Sequence, residues 1–197
     1  MKQATILAAC IAVFHFSIAK PSYNKKIDYN KEFSNDSSAV KIIPDVLEML
    51  DEIIKATGLQ ENFELKEANV LNIEASISHR KRYILYNPAY VTSLNNISKN
   101  RWSVMALLAH EVGHHLNGHT IRKGGSTPEL ELEADEFAGF ILYKLGATLK
   151  QSQNVMYYIA KEKVSSTHPS RSSRLLAIEK GWNRASGLQE TNSAIGQ

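Results

Sequence analysis

An α+β domain, mostly helical with a small antiparallel sheet, is the fold class that the residue pattern predicts. Three observations point there. Apolar residues recur at helical spacing over 44–57 and 100–117, and again in the stripe Ala134, Ala138, Leu142 and Leu145. Residues 63–86 carry strand patterning instead, with Ile73, Ala75 and Ile77 alternating with polar neighbours. A helix, then a sheet, then several helices is the order of an α+β chain, in which the sheet and the helices are segregated.

From the N terminus, residues 1–19 read as a secretory signal peptide. Lys2 supplies positive charge, residues 4–18 are mostly apolar, and Ser17 and Ala19 are small residues suited to a cleavage site. The run is too short, and too interrupted by His15, to make a good spanning helix. Leu7-Ala8-Ala9-Cys10 offers a rival, since it resembles a bacterial lipobox that would lipidate Cys10. The apolar stretch before Cys10 is very short and the run continues beyond it, which favours cleavage near Ala19. Export to the periplasm or the medium is therefore expected, with lipid anchoring at Cys10 as the alternative.

Residues 20–39, rich in Lys, Asn, Ser and Asp, read as a flexible leader to a domain over 40–183. The first helix, 44–57, presents Val46, Leu47, Leu50, Ile53 and Ile54 and is closed by Gly58. In the strand region, His79-Arg80-Lys81-Arg82 is the one basic cluster and reads as a solvated hairpin turn ahead of the apolar run Tyr83-Ile84-Leu85-Tyr86. The helix over 100–117 ends at Asn117-Gly118, where glycine supplies a left-handed residue. Gly124-Gly125-Ser126 forms a loop, and Thr127-Pro128 starts the next helix as cap and first residue. Further helices are expected over 149–163 and 169–182, followed by a polar, flexible tail over 184–197.

Composition narrows the function. The chain has 197 residues, enough for one core, with 43% apolar and 22% charged residues. Removing Lys2 with the signal peptide takes the formal charge from +3 to about +2, too little to argue for nucleic acid. Cys10 is the only cysteine, so the mature chain has no disulfide and no thiolate ligand. Met49, Met105 and Met156 read as core filler.

The chemistry lies in His110-Glu111-Val112-Gly113-His114. Positions four apart share a helical face about 6 Å apart along the axis, so two imidazoles can converge on one metal. Glu111 lies about 100° round the helix and can reach a metal-bound water as a base. A catalytic zinc takes a third protein ligand, and the candidates are His115, His119, Glu129, Glu131, Glu133 and Asp135. The metzincin continuation needs glycine at position 117 and histidine at position 120, where Asn117 and Thr120 stand. Acids opening the helix after Pro128 could simply complement its dipole. Helical geometry divides them: Glu131 and Asp135 share the apolar face, whereas Glu129 and Glu133 lie on the side of Glu136 and Lys144. A buried carboxylate needs a partner. Glu131, the longer, is the expected third ligand, and Asp135 the acceptor for the non-coordinating nitrogen of His110. His115 is rotated from the ligand face and His119 falls past the helix end, so both are taken as ordinary residues.

HExxH followed by Glu131-Leu132-Glu133-Ala134-Asp135 (ExxAD) resembles the gluzincin metallopeptidases that include CAAX prenyl endopeptidases, HtpX-type membrane proteases and Oma-type quality-control proteases. Thr167-His168-Pro169-Ser170 with Arg174-Leu175 is similar to the HPxxxxRL/I segment of that family. Asn72-Ile73-Glu74-Ala75, ahead of Arg82 to Tyr86, is similar to the strand that precedes its active helix. Together the matches span 44–182. The resemblance implies a zincin-like fold and one Zn2+ per chain held by His110, His114 and Glu131. It further implies Glu111 as general base, Asp135 as orienting acid, His168 at the substrate carbonyl or oxyanion, and Arg174 positioning that histidine or offsetting the developing charge. The His168-Pro169 pair also has a local reading as a helix start. The strand over 72–77 is expected to pair with an extended substrate, or simply to cover the core. The membrane members carry several transmembrane helices and this chain carries none after its N terminus. The expected function is thus zinc endoproteolysis of exported, unfolded or damaged proteins, with peripheral membrane association compatible. The alternative is a zinc-stabilised, non-catalytic chaperone or adaptor of the cell envelope.

Overall fold

The computed structural model describes residues 45–122, 125–165 and 168–187. The expected signal peptide over 1–19 with its rival lipobox reading at Cys10, the expected leader over 20–39, Thr167 and the tail beyond Gly187 lie outside those residues.

Helix α1 (Val46–Thr57) is capped by Asp45, which accepts from the N–H groups of Leu47 and Glu48, and is stopped by left-handed Gly58. Three strands follow: β1 (Glu64–Glu67), β2 (Ile73–Ser78) and β3 (Lys81–Tyr86). The β2–β3 hairpin turns at His79 and Arg80, both with positive φ, the geometry whose twist suits a two-residue connection. Arg82, the last residue of the basic cluster, is half-buried and donates from Nη1 to the His115 carbonyl at 3.0 Å.

The sheet is mixed rather than antiparallel. Its order is β1-β3-β2, with β3 antiparallel to β2 and parallel to β1. The chain reverses once between β1 and β2 and again at the hairpin, and the hairpin lays β3 in the middle, so β3 runs with β1. Strand β2 is left at an edge, with Ile73 and Ala75 buried.

Helix α2 (Pro88–Ser98) fills a stretch for which the sequence had suggested no element. Asn87 caps it, accepting from Ala89 and Tyr90, and Pro88 takes its first position. Helix α3 (Arg101–Leu116) is the axis of the domain: every residue from Ser103 to His115 is buried. It packs against α1, α2, β2 and the next long helix, and it ends where Gly118 adopts φ 73°. A single 3₁₀ turn, His119–Ile121, leads to α4 (Pro128–Lys144). Thr127 occupies the cap position of α4 but its side chain makes no capping hydrogen bond.

The helix expected over 149–163 is two short pieces, α5 (Leu149–Gln153) and α6 (Met156–Ile159). Between them Asn154 donates to Ser103 of α3 at 3.2 Å, and fully buried Val155 and Met156 turn into the core. Helix α7 (Arg171–Ser186) runs past the expected end at 182 and is stopped by left-handed Gly187. No described helix is long and apolar enough to cross a membrane.

Helices α4 and α7 touch backbone to backbone. A Cβ at Gly139 would fall on the Ile178 carbonyl oxygen, and one at Gly181 on the Glu136 carbonyl oxygen. Overpacking so close a contact costs about 1–3 kcal/mol. We therefore expect Gly181→Ala to lower stability by about 2–3 kcal/mol in urea unfolding. A midpoint unchanged from wild type would show that the helices can part without cost.

Candidate metal centre

Residues from α3 and α4 meet on the buried side of the β2 edge. His110 Nε2 and His114 Nε2 are 3.0 Å apart; Glu131 Oε2 is 3.3 Å from the first and Glu131 Oε1 3.4 Å from the second. Ligand atoms at about 2.0–2.1 Å from a tetrahedral centre lie about 3.3–3.4 Å from one another. The two rings face one another with a different carboxylate oxygen turned to each, close enough for the three side chains to hold a metal ion, and they are the one such group among the described residues. All three are buried, with His110 and Glu131 at 0% exposure.

The charge balance also fits a cation. Glu131 Oε1 accepts from Ser126 Oγ, but Oε2 is buried without any hydrogen bond. Burial would raise the Glu131 carboxyl, yet the two imidazoles hold it well below the usual carboxylate range. Burial likewise opposes a charged His110, and the Asp135 and Glu131 carboxylates outweigh it, raising that ring to about 10. Two imidazoles and one carboxylate form a donor set that zinc takes in catalytic sites.

Asp135 stands where the helical reasoning put it: Oδ1 meets His110 Nδ1 at 2.9 Å. Arg174 of α7 clamps that carboxylate bidentately, Nε to Oδ2 and Nη2 to Oδ1, each at 2.7 Å. Arg174 is itself buried, with Nη2 4.0 Å from Glu131 Oε2. Two of its donors are thus committed to the acid that orients His110. His168 precedes α7, where its N–H donates to Ser165 Oγ and its carbonyl accepts from the Ser165 N–H. Its ring nitrogen Nε2 is buried.

Glu111 is 2% exposed and accepts the Ala75 N–H of β2 at 2.7 Å. Burial, aided by the negative charge of Glu131, pushes its carboxyl up to about 7, against the pull of His110 and Ala75. Beside it lies a cavity of about 10 Å3 lined by Ala75, His114, Ser126 and Leu130, room for about one water.

Neither of the two histidines set aside from the sequence is idle. His119 Nδ1 meets His114 Nδ1 at 3.0 Å, and its Nε2 meets Glu133 Oε2 at 2.9 Å. A pair of ligand rings has two spare nitrogens, and that was the signal available for seeking a second partner beside Asp135.

His115 is buried against Phe63, with Nε2 2.9 Å from the Tyr83 carbonyl and Nδ1 3.2 Å from Thr120 Oγ1. Burial, helped by the positive charge of Arg82, outweighs the Tyr83 carbonyl and lowers its pKa from 6.5 to about 4. Between those values the unfolded chain takes the proton first, so the neutral ring stabilises fully above pH 6.5 and loses that contribution as pH falls to about 4. The loss is about 3 kcal/mol over the window. His115→Gln should flatten the pH slope of unfolding free energy measured with chelator present. An unchanged slope would remove His115 as the source.

No family model, no curated protein and no solved structure matches this chain.

Proposed function

We propose that the protein is a zinc-dependent endopeptidase built on a zincin-like scaffold, with His110, His114 and Glu131 holding one zinc per chain and Glu111 as general base. The observation that carries the reading is Glu111 itself. It is a buried carboxylate next to a ligand, raised toward neutrality, facing a small cavity beside the cluster and making no contribution to the ligand set. A purely structural site has no use for such a group.

When bound, zinc supplies Lewis-acid polarisation of a carbonyl and lowers the pKa of water toward about 7. Glu111 accepts the proton from the attacking water and returns it to the leaving amine. The Ala75 N–H keeps the Glu111 carboxylate turned toward the cavity until then. Asp135, clamped by Arg174, holds the His110 ring so that Nε2 faces the other two donors. The resemblance adds His168 as a group for the substrate carbonyl. Strand β2 has β3 on one side only, and an extended substrate strand can lie along its other side. Recognition through backbone suits unfolded chains, and the signal peptide read in residues 1–19 suits exported ones.

The test is incubation of the full chain with denatured casein, with zinc content and cut sites read by mass spectrometry. One zinc per chain, cleavage abolished by chelation and cleavage restored by zinc are expected. Full cleavage after the metal is stripped would end the proposal.

A second reading has one observation in its favour. All three donors are buried and the adjoining cavity holds about one water, which also suits a zinc-stabilised chaperone or adaptor. Zinc-loaded protein that keeps the denatured client soluble and uncut would favour it.

A further inference from the structure

A histidine that binds metal through Nε2 keeps its proton on Nδ1 and needs an acceptor there. His110 has Asp135. For His114 we propose that His119 and Glu133 form a second positioning relay, an inference that rests on reading His110, His114 and Glu131 as zinc ligands.

The proton accounting closes in one direction. His114 Nε2 faces Glu131 and His110, so Nδ1 carries the hydrogen and donates to His119 Nδ1 at 3.0 Å. His119 must then present a lone pair at Nδ1 and carry its own proton on Nε2. That nitrogen meets Glu133 Oε2 at 2.9 Å, an acceptor and nothing else when ionised. The ring centroids are 5.1 Å apart and the planes are twisted by 70°, which an N–H···N bond between two ring edges allows.

Chain geometry just past the end of α3 brings the second ring to His114. Gly118, left-handed at φ 73°, turns the chain back so that the first residue of the 3₁₀ turn lands beside a ring five positions earlier. His119 is buried at 1% exposure, whereas the Glu133 side chain is 55% exposed. The charge therefore stays hydrated while its hydrogen bond reaches inward. Glu133 and the ligand Glu131 share the first two turns of α4, so the helix that delivers the third ligand also delivers the end of the relay.

The experiment is zinc affinity of the full chain, by competition with a chromophoric chelator, alongside the melting temperature of the metal-free protein. His119→Ala is expected to weaken zinc binding by about 10–100-fold, the usual consequence of removing such a partner. His119→Asn, which restores an acceptor near the position of Nδ1, should recover most of that loss. Glu133→Gln, at a half-exposed site, should weaken binding by about threefold or more with metal-free melting unchanged. Wild type that binds zinc, with all three variants within about twofold of it, would overturn the relay while leaving the metal site standing. His119→Asn as weak as His119→Ala would overturn it too. If His119→Ala does not fold, Glu133→Gln decides. Wild type that binds no zinc overturns the site itself, and the relay with it.

Discussion

Replacing Glu111 with Gln is expected to lower casein hydrolysis by about 10³-fold while leaving one zinc per chain, because a positioned general base contributes about 10²–10⁴-fold. The change is close to isosteric, and the glutamine carbonyl can still accept the Ala75 N–H that Glu111 accepts at 2.7 Å. What disappears is the ability to take a proton from water and hand it on. Because Glu111 is absent from the ligand cluster, metal content should not move. Zinc stoichiometry and turnover measured on the same preparation check both halves. Hydrolysis at the wild-type rate would remove Glu111 from the mechanism. Loss of zinc together with activity would show instead that the residue supports the ligands.

Arg174→Met is expected to destabilise the metal-free protein by about 3–5 kcal/mol, the cost of stripping one partner from a buried ion pair. Arg174 is 2% exposed, and its two 2.7 Å hydrogen bonds neutralise an Asp135 that is fully buried. Glu131, also fully buried, lies 4.0 Å from the same guanidinium. Methionine fills most of the volume, so the effect reports charge rather than a cavity. Adding Asp135→Asn to this variant should recover part of the loss, since the orphaned charge goes with it. Urea unfolding in the presence of chelator is the measurement. A single-variant loss below about 1 kcal/mol would mean that water reaches the pair and screens it.

Much of the candidate metal cluster was legible before any fold was known. The spacing of His110 and His114 sets their common face on any helix, and the separation of Glu131 and Asp135 from Glu129 and Glu133 follows from the same 3.6-residue turn. The bond from Asp135 to His110 then followed from second-partner logic. Arg174 was less transparent. Its residue type was visible through the resemblance, but its partner lies 39 positions away. That meeting depends on α4 and α7 touching at Gly139 and Gly181. His119 was set aside because it falls past the end of α3, and only the return of the chain at Gly118 brings it to His114.

Patterns that repeat within one or two turns needed no neighbours: the ligand-bearing helix, the helix of acids after Pro128, the alternation of Ile73, Ala75 and Ile77 and the hairpin at His79-Arg80 were all readable locally, because backbone periodicity is a property of the chain itself. Whether β3 would sit between β1 and β2, where Asn154 would interrupt a helix and which acid would reach His119 waited on packing. Those outcomes are contacts between distant segments, decided by which surfaces fit once the whole core closes.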